Sequence, residues 1–171
     1  MPTDLRLRPL RLDDETAVRA AQEQLRADQF DFLLGWDDRA SWPDLVQRTH
    51  RWRLGQDLPP GWVPSTFLVA AVDGQIVGRT SIRHELNDFL LAEGGHVGYA
   101  VLPAYRRRGY ATEILRQSLV IARSQGVDRV LVTCDEDNVA SVRVIERCGG
   151  VLENVPKAPD GGPGTKRYWI A

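Results

Sequence analysis

Apolar and polar positions along this chain follow two periods, one near 2 and one near 3.6. Leu5-Arg6-Leu7-Arg8-Pro9-Leu10 alternates and predicts a first strand. Asp13 or Asp14 then stands where it can cap a helix with apolar positions Ala17, Val18, Ala21 and Leu25. Ser41-Trp42-Pro43-Asp44 marks a second helix start, with proline at the first helical position, and carries Leu45, Val46, His50 and Trp52. Leu58-Pro59-Pro60-Gly61-Trp62-Val63-Pro64 is a loop, because proline fixes φ and removes donors. Phe67 to Val72 reads as a strand, Asp73-Gly74 as a hairpin turn, and Gln75 to Arg83 as the returning strand. A polar, hairpin-like connection from His84 to Gly95 leads into a strand from Val97 to Leu102. A helix follows to Ser124, ended by Gly126, and then a short buried strand, Val130 to Thr133. Asn138 precedes a helix with Val142 and Ile145, and Val151 to Val155 and Lys166 to Ile170 are closing strands. This order predicts an α/β fold of the mixed α+β kind, a mixed sheet with helices on its faces.

The segment Arg106-Arg107-Arg108-Gly109-Tyr110-Ala111-Thr112 joins the Val97 strand to the next helix. The first N–H groups of a helix have no partner within it, and with the helix dipole they attract anions. Gly109 and the small Ala111 allow a phosphate or pyrophosphate close to the backbone. Taken alone, three arginines at a helix start are equally a solvated face. The spacing is neither Gly-x-Gly-x-x-Gly nor Gly-Lys-Ser/Thr, which removes the Rossmann and P-loop readings.

Length and composition narrow the class. The chain has 171 residues, 43% hydrophobic and 26% charged, as suits one packed domain spanning 1–171. A net charge of -1 argues against a general nucleic-acid binder. No apolar run approaches the ~20 residues of a membrane span, and Met1-Pro2-Thr3-Asp4 opens no signal core, so a cytoplasmic protein without membrane partners is expected. Cys134 and Cys148 sit in apolar surroundings and read as buried free thiols. Neither Cys-x-x-Cys nor His-Glu-x-x-His occurs, so no metal is expected.

Two motifs on either side of the Val130 strand carry a family resemblance. Arg106-x-x-Gly109-x-Ala111 resembles the CoA pyrophosphate turn of the GNAT superfamily of acyl-CoA-dependent N-acyltransferases. Asn138-Val139-Ala140-Ser141, with its helix ending at Gly149-Gly150, resembles that family's second motif. The match runs from Phe67 to Ile170 and is similar to an uncharacterised bacterial branch with a Gly-Gly-His-Val/Ile-Gly-Tyr strand and an Arg-Tyr-Trp-Ile ending. The first 65 residues match only in having one strand and two helices. The resemblance implies a central mixed, mostly antiparallel sheet of about 6–7 strands flanked by helices. It implies acetyl transfer from acetyl-CoA, as cosubstrate, to an unidentified primary amine of a small molecule or peptide, by direct attack in a ternary complex. A homodimer is compatible with it.

The resemblance assigns roles. Backbone groups of Ala100, Val101 and Leu102 would pair with the pantetheine arm. Amides from Arg106, Arg107, Arg108, Gly109, Tyr110, Ala111 and Thr112 would hold the pyrophosphate. Asn138 and Ser141 would reach the pantetheine end, although Asn138 taken alone is a plain N-cap. An N–H near Val101 would stabilise the oxyanion, worth ~3 kcal/mol. An alkylamine of pKa about 10.4 needs ~4–5 kcal/mol to be presented as free base at pH 7. Candidates for that base are His84, Glu85, Glu93 and His96. Glu93 shares strand parity with Tyr99 and Val101, His96 has the opposite parity, and a bulge at Gly94-Gly95 would overturn both. His84 and Trp62 would border the acceptor. One departure matters: many relatives carry a tyrosine seven residues after the asparagine as proton donor to the CoA thiolate, and here Ile145 stands there. Water or the Ser141 hydroxyl would then serve, or the protein would be a non-catalytic acyl-CoA-binding sensor or partner module.

Overall fold

A computed structural model describes residues 4–171. Strand β1 (Arg6–Arg8) leads through a single 3-10 turn, Leu12–Asp14, into helix α1 (Glu15–Arg26). Asp14 begins α1 without capping it through its side chain. Its carboxylate accepts from the Arg11 N–H at 2.8 Å and from both Arg8 terminal nitrogens at 2.8 Å, tying the turn to β1. Helix α2 (Trp42–Arg53) starts as the sequence predicts, with the Ser41 hydroxyl accepting from the Asp44 N–H at 3.3 Å. Strands β2 (Ser65–Val72) and β3 (Gln75–Arg83) form the hairpin about Asp73-Gly74, whose φ values of 49° and 78° fit the favoured two-residue turn. Strand β4 (Val97–Val101), helix α3 (Tyr110–Ser124), strand β5 (Val130–Asp135), helix α4 (Val139–Arg147) and strands β6 (Val151–Asn154) and β7 (Thr165–Ile170) complete the described order.

The strands do not form one mixed sheet. They make two antiparallel sheets, ordered β1-β2-β3-β4 and β5-β7-β6. The seven strands and flanking helices agree with the mixed α+β reading, but the predicted continuity between β4 and β5 is broken. Alternation along β2 divides the core. Phe67 and Val69 pack with Val18, Ala21 and Leu25 of α1 and with Trp42, Leu45 and Val46 of α2. Leu68 packs on the other face with Ile82, Val97 and the Leu115, Leu119 and Ala122 stripe of α3. Each buried aliphatic contributes ~1.5–3 kcal/mol, so the first sheet is held from both sides. Ile145 of α4 and Tyr168 of β7 join the α3 side, which fastens the second sheet to the first.

The connection before β4 is not simply polar loop. Leu90–Gly94 forms a π-helical turn, with Leu90 buried and its N–H donating to Asn87 Oδ1 at 2.9 Å. Gly95 has φ 64°, and a Cβ there would lie 2.7 Å from the Leu131 carbonyl oxygen. Only glycine permits that approach without a backbone shift.

Candidate active site

The site lies where the two sheets meet. At the start of β4, the His96 N–H donates to Leu131 O at 2.7 Å, and the Leu131 N–H donates to His96 Nδ1 at 2.9 Å. The Thr133 hydroxyl also donates to Glu93 O. Beyond this clip no ladder joins β4 to β5, so the seam is closed at one end and unpaired from Gly98 onward. Antiparallel pairing turns the backbone of alternate residues to opposite edges. The Arg83 N–H donates to His96 O at 2.7 Å and the Leu102 N–H to Val77 O at 2.8 Å, so the even positions of β4 face β3. The amides of Tyr99 and Val101 therefore face the open edge. This corrects the expected set: Leu102 has its N–H engaged and Ala100 shares its direction, leaving Val101 and adding Tyr99.

Past β4 the chain makes a 3-10 turn at Pro103–Tyr105 and reaches α3 through Arg107, with φ 62°, and Gly109, with φ 82°. These left-handed residues turn successive amides the same way, forming a concave nest for an anion. Among the described residues, the N–H groups of Arg107, Arg108, Gly109, Tyr110, Ala111 and Thr112 make no hydrogen bond. α3 begins two residues before the Thr112 start of its sequence pattern, so Tyr110 and Ala111 belong to its first turn. The Arg106 and Arg108 side chains meet partners outside that nest. Arg106 Nε donates to Val101 O at 3.1 Å and its Nη2 to Asp28 at 2.6 Å, bracing the open edge against the α1 side. Arg108 lies over the Tyr105 ring at 5.7 Å.

The mouth of α4 faces the same seam. Asn138 is its N-cap, its Oδ1 accepting from the Ser141 N–H at 3.1 Å. Cys148, at the far end of α4, approaches Thr112 O at 3.7 Å and so packs α4 against the α3 mouth. Cys134 and Cys148 are both free and half-buried; burial raises both thiols, Cys134 to about 11. The residue that sequence reasoning missed is Tyr99. Its hydroxyl is buried without a hydrogen-bond partner of good geometry, in the company of Ser141, Cys134 and Cys148. Burial pushes its pKa up to about 12, partly offset by Ser141. Strand parity could have singled it out, since Tyr99 shares a face with Val97 and Val101 and points toward α3 and α4.

The base candidates separate clearly. Glu93 is exposed and sits in the π-helical turn, so the strand-parity argument for it does not apply. His96 is buried, and its pKa is lowered to about 4 by burial and by Arg83. Its Nδ1 lone pair already accepts from Leu131, which leaves Nε2 bearing the proton. A neutral imidazole so engaged is a structural clip and not a base. His84 is half-buried and hydrogen-bonds through Nε2 with Thr66 Oγ1 at 2.7 Å. Burial and Arg53 lower its pKa, so the ring is neutral near pH 7. Glu85 is exposed. The His84 N–H donates to Pro64 O at 2.9 Å, which brings the Trp62 loop beside it. Trp62 packs on Trp52 at 4.9 Å between ring centres. Among the described residues no cluster of three His, Cys, Asp or Glu side chains is placed to hold a metal, and no helix is long and apolar enough to cross a membrane.

Residues 4–151 match the family described as the acetyltransferase (GNAT) domain. An uncharacterized N-acetyltransferase of Bacillus subtilis, YjdG, is 25% identical over 126 residues, covering 71% of this chain and 73% of that protein. RimJ of Mycobacterium smegmatis, solved with a CoA disulfide, superposes with a TM-score of 0.73 at 20% identity, over 97% of this chain and 81% of that one. RimL, a ribosomal alpha-N-protein acetyltransferase solved with coenzyme A, gives 0.70 at 19% identity over 98% and 94%.

Proposed function

Because the chain belongs to the GNAT acetyltransferase family, we propose that it moves an acetyl group from acetyl-CoA to a primary amine of a small molecule or peptide, by direct attack in a ternary complex. One observation carries this reading: six successive unbonded amides, Arg107 to Thr112, lie at the mouth of α3 beside the unpaired edge of β4. Donors in that number suit a pyrophosphate, and the helix dipole adds to them. The structural relatives solved with CoA support the same ligand. The two free thiols fit a reducing, cytoplasmic setting.

Acetyl-CoA supplies an activated thioester. The nest at Arg107 to Thr112 holds its phosphates, and the open-edge amide of Tyr99 takes the pantetheine arm. The Asn138 side chain keeps its NH2 for that arm while its oxygen caps α4. The Val101 N–H donates to the thioester oxygen as negative charge develops there, a contribution of ~3 kcal/mol. The amine nitrogen bonds to the acyl carbon and the carbon–sulfur bond breaks. The amine's proton passes to His84, the candidate imidazole held neutral with a ring nitrogen to spare. Trp62, whose loop lies beside His84, borders the acceptor. The departing thiolate takes its proton from Tyr99, whose hydroxyl stays protonated at neutral pH, with Ser141 beside it. Tyr99 thus stands in for the phenol missing at Ile145, which is fully buried in the core.

That absent phenol favours one second reading, a CoA-binding module without catalysis. Thiol release from acetyl-CoA, followed over a panel of amines, separates the two. The transferase reading expects release with some amine and a fall of about tenfold or more in kcat for Tyr99→Phe, with acetyl-CoA affinity retained. Tight binding without release from any amine would leave only the module.

A further inference from the structure

Two guanidinium groups sit on the face of the β3–β4 pair opposite α3, and neither has an acidic partner. Arg79 and Arg83 share one face of β3 with Ser81, which pairs across with Gly98. Because Gly98 has no side chain, both guanidiniums converge over it: a Cβ there would lie 3.3 Å from Arg83 Nη1 and 3.8 Å from Arg79 Nη1. Arg79 is 2% exposed. It donates to Gly98 O at 3.1 Å and Asp31 O at 3.0 Å and lies 4.5 Å over the Phe30 ring. Arg83 donates through Nη1 to Gly94 O at 3.1 Å. Among the described residues neither arginine has a carboxylate within ion-pair distance. The nearest acidic influence is Asp31, whose carboxylate is bonded to Gln22 at 2.7 Å.

Donors remain. Arg79 Nε and Ser81 Oγ are buried without partners, and Arg83 Nη2 makes no hydrogen bond among the described residues. Buried charges are normally paired, since an isolated one is costly to desolvate. Here burial and mutual repulsion bring the Arg79 pKa down to about 9. An entering anion would relieve both cations and satisfy the free donors together. Arginine forks match a carboxylate in geometry as well as charge. The location selects the source: Arg83 is bonded backbone-to-backbone with His96 at the closed end of the seam, and Gly98 begins the open stretch.

Resting on the transferase reading above, we propose that Arg79, Ser81 and Arg83 receive a carboxylate brought in with the substrates, on the acceptor amine or on the acyl group. The acceptor form of this site selects amino acids and related amino-carboxylates over simple amines and polyamines. The acyl form selects a dicarboxylic acyl thioester over acetyl.

Matched substrates test it on the full chain. Acetyl-CoA binding is first measured by calorimetry. Thiol release is then followed with phenylalanine against phenethylamine and with lysine against cadaverine, and each amine is also run with succinyl-CoA. The expected result is a kcat/KM about tenfold to a hundredfold higher for the member that carries the carboxylate, expressed mainly in KM. Arg83→Met should erase that preference while still binding acetyl-CoA, which shows the variant folded. A preference between amines assigns the carboxylate to the acceptor; a preference for succinyl-CoA, lost in Arg83→Met, assigns it to the acyl group. A second measurement needs neither a variant nor turnover: 3-phenylpropionate should bind the acetyl-CoA complex and 3-phenylpropionamide should not. Equal kcat/KM within the amine pairs together with no preference for succinyl-CoA over acetyl-CoA overturns the carboxylate site and leaves the transferase reading standing; equal binding of acid and amide removes its acceptor form. Failure to bind acetyl-CoA at all removes that reading instead.

Discussion

The two ends of the β4–β5 seam are built from the same kind of backbone and put to opposite uses. At the closed end the His96 N–H and ring nitrogen both engage Leu131, and Gly95 lets the strands touch. At the open end the Tyr99 and Val101 N–H groups and the Arg107 to Thr112 amides make no hydrogen bond among the described residues. Buried or clustered backbone donors are normally satisfied, so a run of free ones marks where a ligand completes the structure. The closed end fixes where the open end begins. Arg106, bonded to Val101 O and to Asp28, keeps the gap braced.

The largest expected effect breaks the open end. Gly109→Val should weaken acetyl-CoA binding by about a hundredfold or more, because φ 82° excludes a β-branched residue and the nest collapses. Gly126→Val is the contrast: φ there is 86°, but Gly126 follows the far end of α3, away from the nest, and beyond its chain neighbours nothing lies within 4 Å of its Cβ site. That variant should lose ~1–2 kcal/mol of stability and no affinity. Similar affinities for the two variants in calorimetry would erase the distinction between a ligand site and an ordinary turn.

Acid attacks the closed end. The folded His96 pKa, about 4, lies below the ordinary value of 6.5. The unfolded chain therefore binds the proton first, and stability is full above pH 6.5. It falls as pH drops from 6.5 toward 4, with on the order of 2 kcal/mol lost by pH 5. Urea melts at pH 7 and pH 5 should show the loss, and His96→Gln should flatten it. An unchanged slope in the variant would mean that another group closes the seam.

The smallest effect tests α4. Asn138→Ala removes the cap on Ser141 and should cost ~1 kcal/mol in a thermal or urea melt. If the asparagine also serves the pantetheine arm, acetyl-CoA affinity should fall too, by less than about tenfold for one neutral hydrogen bond. A stability loss with affinity intact would make Asn138 a cap alone.

Much of this was readable along the chain where the determining contact is local. The Asp73-Gly74 turn, the Ser41 cap and the Gly109 helix mouth each depend on a few neighbouring dihedrals. The same local logic reads Asn138 as a cap but cannot say what its free NH2 meets. Glu93 and His96 show where it fails. Their roles hang on Gly95, whose left-handed turn answers the position of Leu131 on another strand.

By itself, then, the sequence determined the strand and helix order, the anion-ready turn and the resemblance to the GNAT family, because periodicity and turn chemistry act over a few residues. Only the tertiary structure decided that β4 and β5 part after one clip, that Tyr99 faces Ser141, and that Arg79 and Arg83 meet over Gly98. Those are contacts between residues far apart along the chain. They are set by how the two sheets pack around α3 and α4, which no local pattern encodes.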